Sequence, residues 1–316
     1  MKISKPKVTF EENLNKIKES GETVPISALY ALSNMTPERQ AQFQAVWSNL
    51  HPEYRRKIAA ALNDLAEEVI ELEFDEVFIF LLHDQEAEVR GKAIDGLWEN
   101  ESRQVLGELL KMLESDPSAW VREKAAIGVG RFAYLAEVGR LPQRWIDRVR
   151  DTLLAQAMSG KNPVEVERRV IEGLGYFSNN EQVTKIIERA YQSDDDLLIA
   201  GAIRAMGRNM NQRWLPEIGK EMSNSDPLIR YEAATAVGEI GSKELLMALV
   251  ALFQDEDLEV RLAAVWALGQ LGGPEASSQL KELLHDERES MREAAQEALK
   301  ELAYADSPLI PLSGEI

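Results

Sequence analysis

Three histidines, 54 carboxylates and no cysteine set the chemical inventory of this 316-residue chain. Without cysteine it has no disulfide, thiolate metal site, iron–sulfur cluster or cysteine nucleophile. His51, His83 and His285 are spread along the chain, each in a turn ahead of a helical pattern, and no H-E-x-x-H pair exists. Carboxylates cluster at Asp194, Asp195 and Asp196, and again at Asp255, Glu256 and Asp257. Two carboxylates whose pKa values are driven apart can share acid–base work. The first triplet offers oxygen ligands for a loose Ca²⁺ or Mg²⁺ site, but it lacks the glycine and glutamate spacing of an EF-hand loop. Both triplets fall at predicted helix starts, where the helix dipole stabilises negative charge, so capping is the reading the pattern favours. There is no P-loop and no G-x-S-x-G elbow. The expectation is no catalytic residue, no metal and no cofactor.

The residue type that does recur at fixed spacing is arginine, and it recurs because the sequence repeats. DEDLEVRLAAVWALGQLGG, from Asp255, has relatives in SDPLIRYEAATAVGEIG from Ser225, SDPSAWVREKAAIGVGRF from Ser115 and HDQEAEVRGKAIDGLW from His83. Weaker copies start at His51, Asn162, Asp194 and His285. Aligned on their first apolar residue, the copies are anchored at Tyr54, Val89, Val121, Val166, Leu198, Ile229, Val260 and Met291, and the last three steps are all 31 residues. The position after the anchor is Arg55, Arg90, Arg122, Glu167, Ile199, Arg230, Arg261 and Arg292. A catalytic group would not repeat along an array. The arginines are expected to form a structural ladder, each pairing with an aspartate of the preceding repeat such as Asp226 or Asp257. The breaks at Glu167 and Ile199 predict irregular stacking over 160–205.

Each repeat reads as two helices. The positions four, seven and eight residues after the anchor share one face with it at a period of 3.6. The seventh is only Ala or Gly, from Ala61 to Ala298, and the eighth is apolar throughout, from Leu62 to Leu299. Gly130, Gly175, Gly207, Gly238 and Gly269 follow at the ninth. Inside a helix each glycine costs about 1 kcal/mol relative to Ala. Close helix approach or helix termination would account for them. No period-2 strand pattern competes.

These motifs resemble HEAT repeats, in particular the short D-P-x-V-R-x-x-A-A-x-A-L-G form of bacterial phycobilisome-lyase-like proteins, over roughly residues 51–302. The resemblance implies an all-α fold, an α-solenoid superhelix of about eight HEAT-like helical pairs with a helical N-terminal cap. It implies a non-catalytic scaffold or adaptor for a protein or peptide, with a bilin lyase-like or chaperone-like accessory factor as the alternative. HEAT-type iron hydroxylases depend on His-Glu pairs, and this chain has no His-Glu dipeptide. A HEAT-like nucleic-acid binder would need a basic face, which a net charge of −18 disfavours.

Residues 1–50 read as the cap, with helices near 9–19, 25–33 and 37–50 started by Thr9 with Glu12 and by Thr36-Pro37. A 45-residue step between Val121 and Val166 implies an insertion near 133–145. Around it lies the one locally basic stretch of the repeats, where a loop carrying Arg140, Arg144 and Trp145 either binds an acidic partner or is a solvated connection. Residues 303–316, with Pro308 and Pro311, read as an extended tail.

In the resembled arrays the second helices line a concave face. The free positions there give Tyr231, Leu262 and Trp266, which either form an aromatic–aliphatic hot spot or pack as core. Between 216 and 302, 18 acidic residues stand against 8 basic ones, which favours a basic or amphipathic partner. Self-association stays open. Apolar stretches such as Val77 to Leu82 are too short to span a bilayer, and the basic start MKISKPKVTF lacks an apolar h-region. The expectation is a cytoplasmic protein that binds neither membrane nor nucleic acid.

Overall fold

The computed structural model describes residues 8–21 and 23–305, and every regular element among them is helical. The fold is an α-solenoid of stacked helical repeats. It divides into two compact units, one ending at Phe132 and the other beginning at Ala133.

The first unit opens with the helix Phe10–Ser20, whose capping box is formed in both directions between Thr9 and Glu12. Next come Ile26–Leu29, a 3₁₀ turn at Tyr30–Leu32, and Pro37–Trp47, which starts on Thr36 with proline in its first turn. Leu14, Ile17, Leu29, Phe43 and Trp47 bury the inner face of this cap. Trp47 Nε1 donates to Asp84 Oδ2 at 2.6 Å, and Asp84 also accepts from Arg55 Nη1 at 2.9 Å. The cap is thereby tied to the first rung of the ladder. The second helices of this unit are Pro52–Glu68 and Ala87–Gly96, which pack together; Ala119–Glu137 runs across the boundary at 132–133.

In the second unit Val164–Leu174, Asp196–Asn209, Pro227–Ile240, Leu258–Leu271 and Glu289–Ala305 stack in sequence. The small and apolar columns explain the stacking. Ala202, Ala233, Ala264 and Ala295 are wholly buried. Gly207 lies so close to the next helix that a Cβ there would stand 2.7 Å from Ala236 Cα. Close approach, one of the two explanations open for that glycine column, is what the structure shows. Stacking is continuous across 160–205, so the irregularity expected there is not found in the order of packing.

Of the expected rungs at Arg90, Arg122, Arg230, Arg261 and Arg292, two, Arg90 and Arg230, pair with an aspartate of another repeat, in the direction opposite to the one expected. Arg90 presents Nε and Nη2 to Asp116, each at 2.8 Å, while Nη1 bonds the carbonyls of Asp84 and Gln85 in its own turn. Arg230 does the same with Asp255 and with the carbonyls of Asn224 and Ser225. The acceptor is therefore an aspartate of the following repeat, five residues before its anchor, and not Asp226 or Asp257. Those two are occupied as N-caps. Among the described residues Arg122, Arg261 and Arg292 keep only the carbonyl bonds of their own turns.

The extra residues near 133–145 do not form a long loop. They lengthen helices: Ala119–Glu137 runs 19 residues against 14 for Asp196–Asn209, and Gln143–Met158 follows after a turn at 138–142. Alanine, tyrosine, leucine and glutamate prolong the first helix, and Gly139 at φ +73° turns the chain. The last helix continues to Ala305, so residues 303–305 are helical where a tail was expected; the rest of that expected tail lies outside the described residues.

Candidate partner-binding surface

Tyr231, Leu262 and Trp266 are positioned by two capped helices. Asp226 accepts from Leu228 N at 2.7 Å, with Pro227 in the first turn, and Gly241 closes that helix at φ +72°. Asp257 caps the next helix through Glu259 N and Val260 N. Neighbouring second helices then bring the three side chains together in an open cleft of about 360 Å³, with Arg204, Thr235, Glu239 and Glu259 on its walls. Trp266 is 37% exposed. The end of its ring is seated over Gly238, where a Cβ would come within 2.7 Å of Cζ3. The two readings of this residue are thus both partly met: one ring edge packs and the rest faces the cleft.

Beside it lies a charge network that no local pattern announces. Arg168 Nε bonds Glu172 Oε1 at 2.8 Å, and its Nη2 reaches Glu232 Oε1 at 3.0 Å, two repeats along the chain. Arg204 Nη1 holds the other Glu232 oxygen at 3.3 Å. Arg169 adds two bonds to Glu172. The stem of Arg168 crosses Gly201, the residue whose missing side chain leaves it room. Burial pushes the Glu232 carboxyl above the usual carboxylate range, and Arg204 opposes that rise. Glu239 is pushed up for the same reason, against Arg204 and Arg208. Arg208 stacks 5.1 Å from the Tyr176 ring, which itself lies 5.7 Å from Tyr134.

The basic stretch is dispersed. Arg140 is exposed in the turn at 138–142, and Arg144 is exposed on the helix that follows. Trp145 is half-buried in that helix, with the Arg148 guanidinium 5.3 Å above its ring. The structure does not join these three to the Tyr231–Trp266 cleft.

Several of the remaining candidates for chemistry have structural partners. His51 Nδ1 accepts from Glu53 N at 3.4 Å at a helix start, and His83 Nε2 lies 3.8 Å from Glu108. Asp195 and Asp257 are N-caps. Among the described residues no group of three or more histidines and carboxylates is arranged to hold a metal ion, and no helix is long and apolar enough to cross a membrane.

Residues 75–145 and 215–300 match the HEAT repeats family. The chain is a HEAT-repeat protein. No curated protein matches it. Among solved structures it is similar to an engineered protein at 17% identity, covering 93% of this chain and 88% of that one, with a TM-score of 0.43. YibA of E. coli aligns at 18% identity over 76% of this chain and 96% of its own, also at 0.43. Human deoxyhypusine hydroxylase, solved in complex with glycerol, aligns at 21% identity over 83% and 96%, with a TM-score of 0.35. The expected likeness to phycobilisome-lyase-type repeats is not confirmed.

Proposed function

We propose that this HEAT-repeat protein is a non-catalytic scaffold whose second unit grips a basic or amphipathic segment of another protein in the Tyr231–Leu262–Trp266 cleft. The observation that carries the reading is the half-seated Trp266. A large ring, fixed at one edge and open at the other beside Leu262 and Tyr231, is the kind of anchor that concentrates binding energy. Glu239 and Glu259 on the walls suit a partner that brings lysine or arginine to the rim. A cytoplasmic setting belongs to this proposal, and imaging of the tagged full chain tests it.

The decisive comparison is affinity capture from the native cell with wild-type chain and with Trp266→Ala/Tyr231→Ala. The double variant is expected to lose the captured partner while keeping its helical signal and melting curve. Equal recovery of the same partner by both proteins would sink the assignment.

A further inference from the structure

We infer that the first unit carries a second recognition site, a cleft that takes an arginine side chain from a peptide or protein segment together with an adjoining apolar residue. It does not depend on the Tyr231–Trp266 reading, because a different unit, different residues and a different observation carry it.

The cleft arises where the repeat pattern is broken. In the second unit the ninth residue after each of the first four anchors is glycine, and at Gly207 that glycine meets the seventh residue of the next repeat, Ala236, almost backbone to backbone. In the first two repeats the same column holds Asn63 and Trp98. Asn63 has a side chain where the other helices have none, and the residue opposite it in register is Gly96. The helix Ala87–Gly96 also ends there, seven residues past Val89, whereas Asp196–Asn209, Pro227–Ile240 and Leu258–Leu271 each run eleven past their anchors. About one helical turn is missing. A cleft of about 800 Å³ occupies that region, and Asn63, Gly96 and Trp98 all line it.

Its chemistry selects a cation. Asn63 is only 5% exposed, and its Oδ1 has no hydrogen-bond donor. A buried acceptor left without a donor is unfavourable and rare, and here it lines an open cavity from which a ligand can supply one. Around the mouth stand Glu67, Glu73 and Glu99, all exposed and none in an ion pair among the described residues. Two further carboxylates are already engaged, Asp75 by Asn100 and Asp95 by Lys124. The C-terminal ends of Pro52–Glu68 and Ala87–Gly96 both lie at the cleft, and their helix dipoles add partial negative charge. Ile70, 91% exposed, and Trp98, 55% exposed, supply the apolar surface. A guanidinium fits this set: it has several forked N–H donors and no acceptor, so one group can serve Asn63 and a rim carboxylate together. An acidic or neutral segment would leave the rim uncompensated.

The test uses the full chain and a fluorescein-labelled peptide with one arginine between two leucines, read by anisotropy. Saturable binding is expected. The same peptide with citrulline in place of arginine should bind roughly tenfold more weakly, as should the arginine peptide to Glu67→Gln/Glu99→Gln. Both substitutions are on the surface, so the variant should melt like the wild type. Both tenfold losses should persist when the chain also carries Trp266→Ala/Tyr231→Ala, which removes any share of the peptide taken by the second-unit cleft. Absence of saturable binding in that background, equal affinity for the citrulline peptide, or full affinity in the rim variant would each overturn the site.

Discussion

Arg230 presents Nε and Nη2 to the two carboxylate oxygens of Asp255, both at 2.7 Å, and so clamps one repeat turn onto the next. The pair is nearly dry, with the two side chains 9% and 7% exposed. Asp255 Oδ1 also accepts from Asp257 N, so one carboxylate both holds the neighbouring repeat and starts its own turn. Removing one partner of a buried pair leaves the other charge uncompensated. Asp255→Ala should therefore destabilise the chain by about 2–4 kcal/mol in urea unfolding. Replacing both members with apolar residues of similar volume should recover much of that loss, which a double-mutant cycle measures directly.

Acid should loosen the same turns. The Arg230 guanidinium holds the Asp255 carboxyl below its ordinary value, and Arg288 holds Asp286 down to about 2. A carboxyl with a depressed folded-state pKa contributes stability above its unfolded value and loses it as pH falls through the folded one. The Asp286 contribution should thus be intact above about pH 4 and fade toward pH 2. Asp286→Asn should flatten the acid limb of a stability–pH profile over that window. An unchanged limb would show that Asp286 is not linked to folding.

Glu232 should behave in the opposite sense. Burial raises its carboxyl despite Arg204 and Arg168, so folding disfavours its ionised form relative to the unfolded chain. The stability it allows is full below the ordinary carboxylate range and declines as pH rises through its raised value. Glutamine copies the protonated acid in shape and keeps one oxygen, enough for Arg168 or Arg204 but not for both. Glu232→Gln is therefore expected to be neutral or stabilising at pH 7, and the difference from wild type should vanish in acid. A large loss of stability at neutral pH would mean that the ionised network outweighs its desolvation.

The repeat was legible because its signal is periodic: Ala202, Ala233 and Ala264 share a column, and all are buried. The ladder arginines were legible for the same reason, but their direction was not. Asp226 and Asp257 lie nearer the arginines in sequence, yet their side chains are taken up by the helix starts. The step of 45 residues marked extra residues near 133–145 but left their form open, because a longer spacing does not distinguish a loop from two longer helices. The Tyr231–Leu262–Trp266 grouping followed from column positions. The Arg168–Glu232 bond did not, since it joins residues 64 apart over a glycine. The first-unit cleft was visible only as Asn63 and Trp98 standing in a glycine column, a departure that gains meaning once Gly207 is seen against Ala236.

Gly238 joins stability to the proposed binding surface. A Cβ at this position would stand 2.7 Å from Trp266 Cζ3 and 2.9 Å from Ala267 Cα. The ring can swing away, but the backbone of the next helix cannot without opening the stack. Overpacking of this kind costs about 1–3 kcal/mol. Gly238→Ala should lower the melting temperature and expose more of the Trp266 ring, which iodide quenching measures against a Trp266→Phe control. Partner capture should weaken as well, since the anchor loses its seat. Wild-type quenching and stability in Gly238→Ala would show that the glycine is not what sets the pose of Trp266.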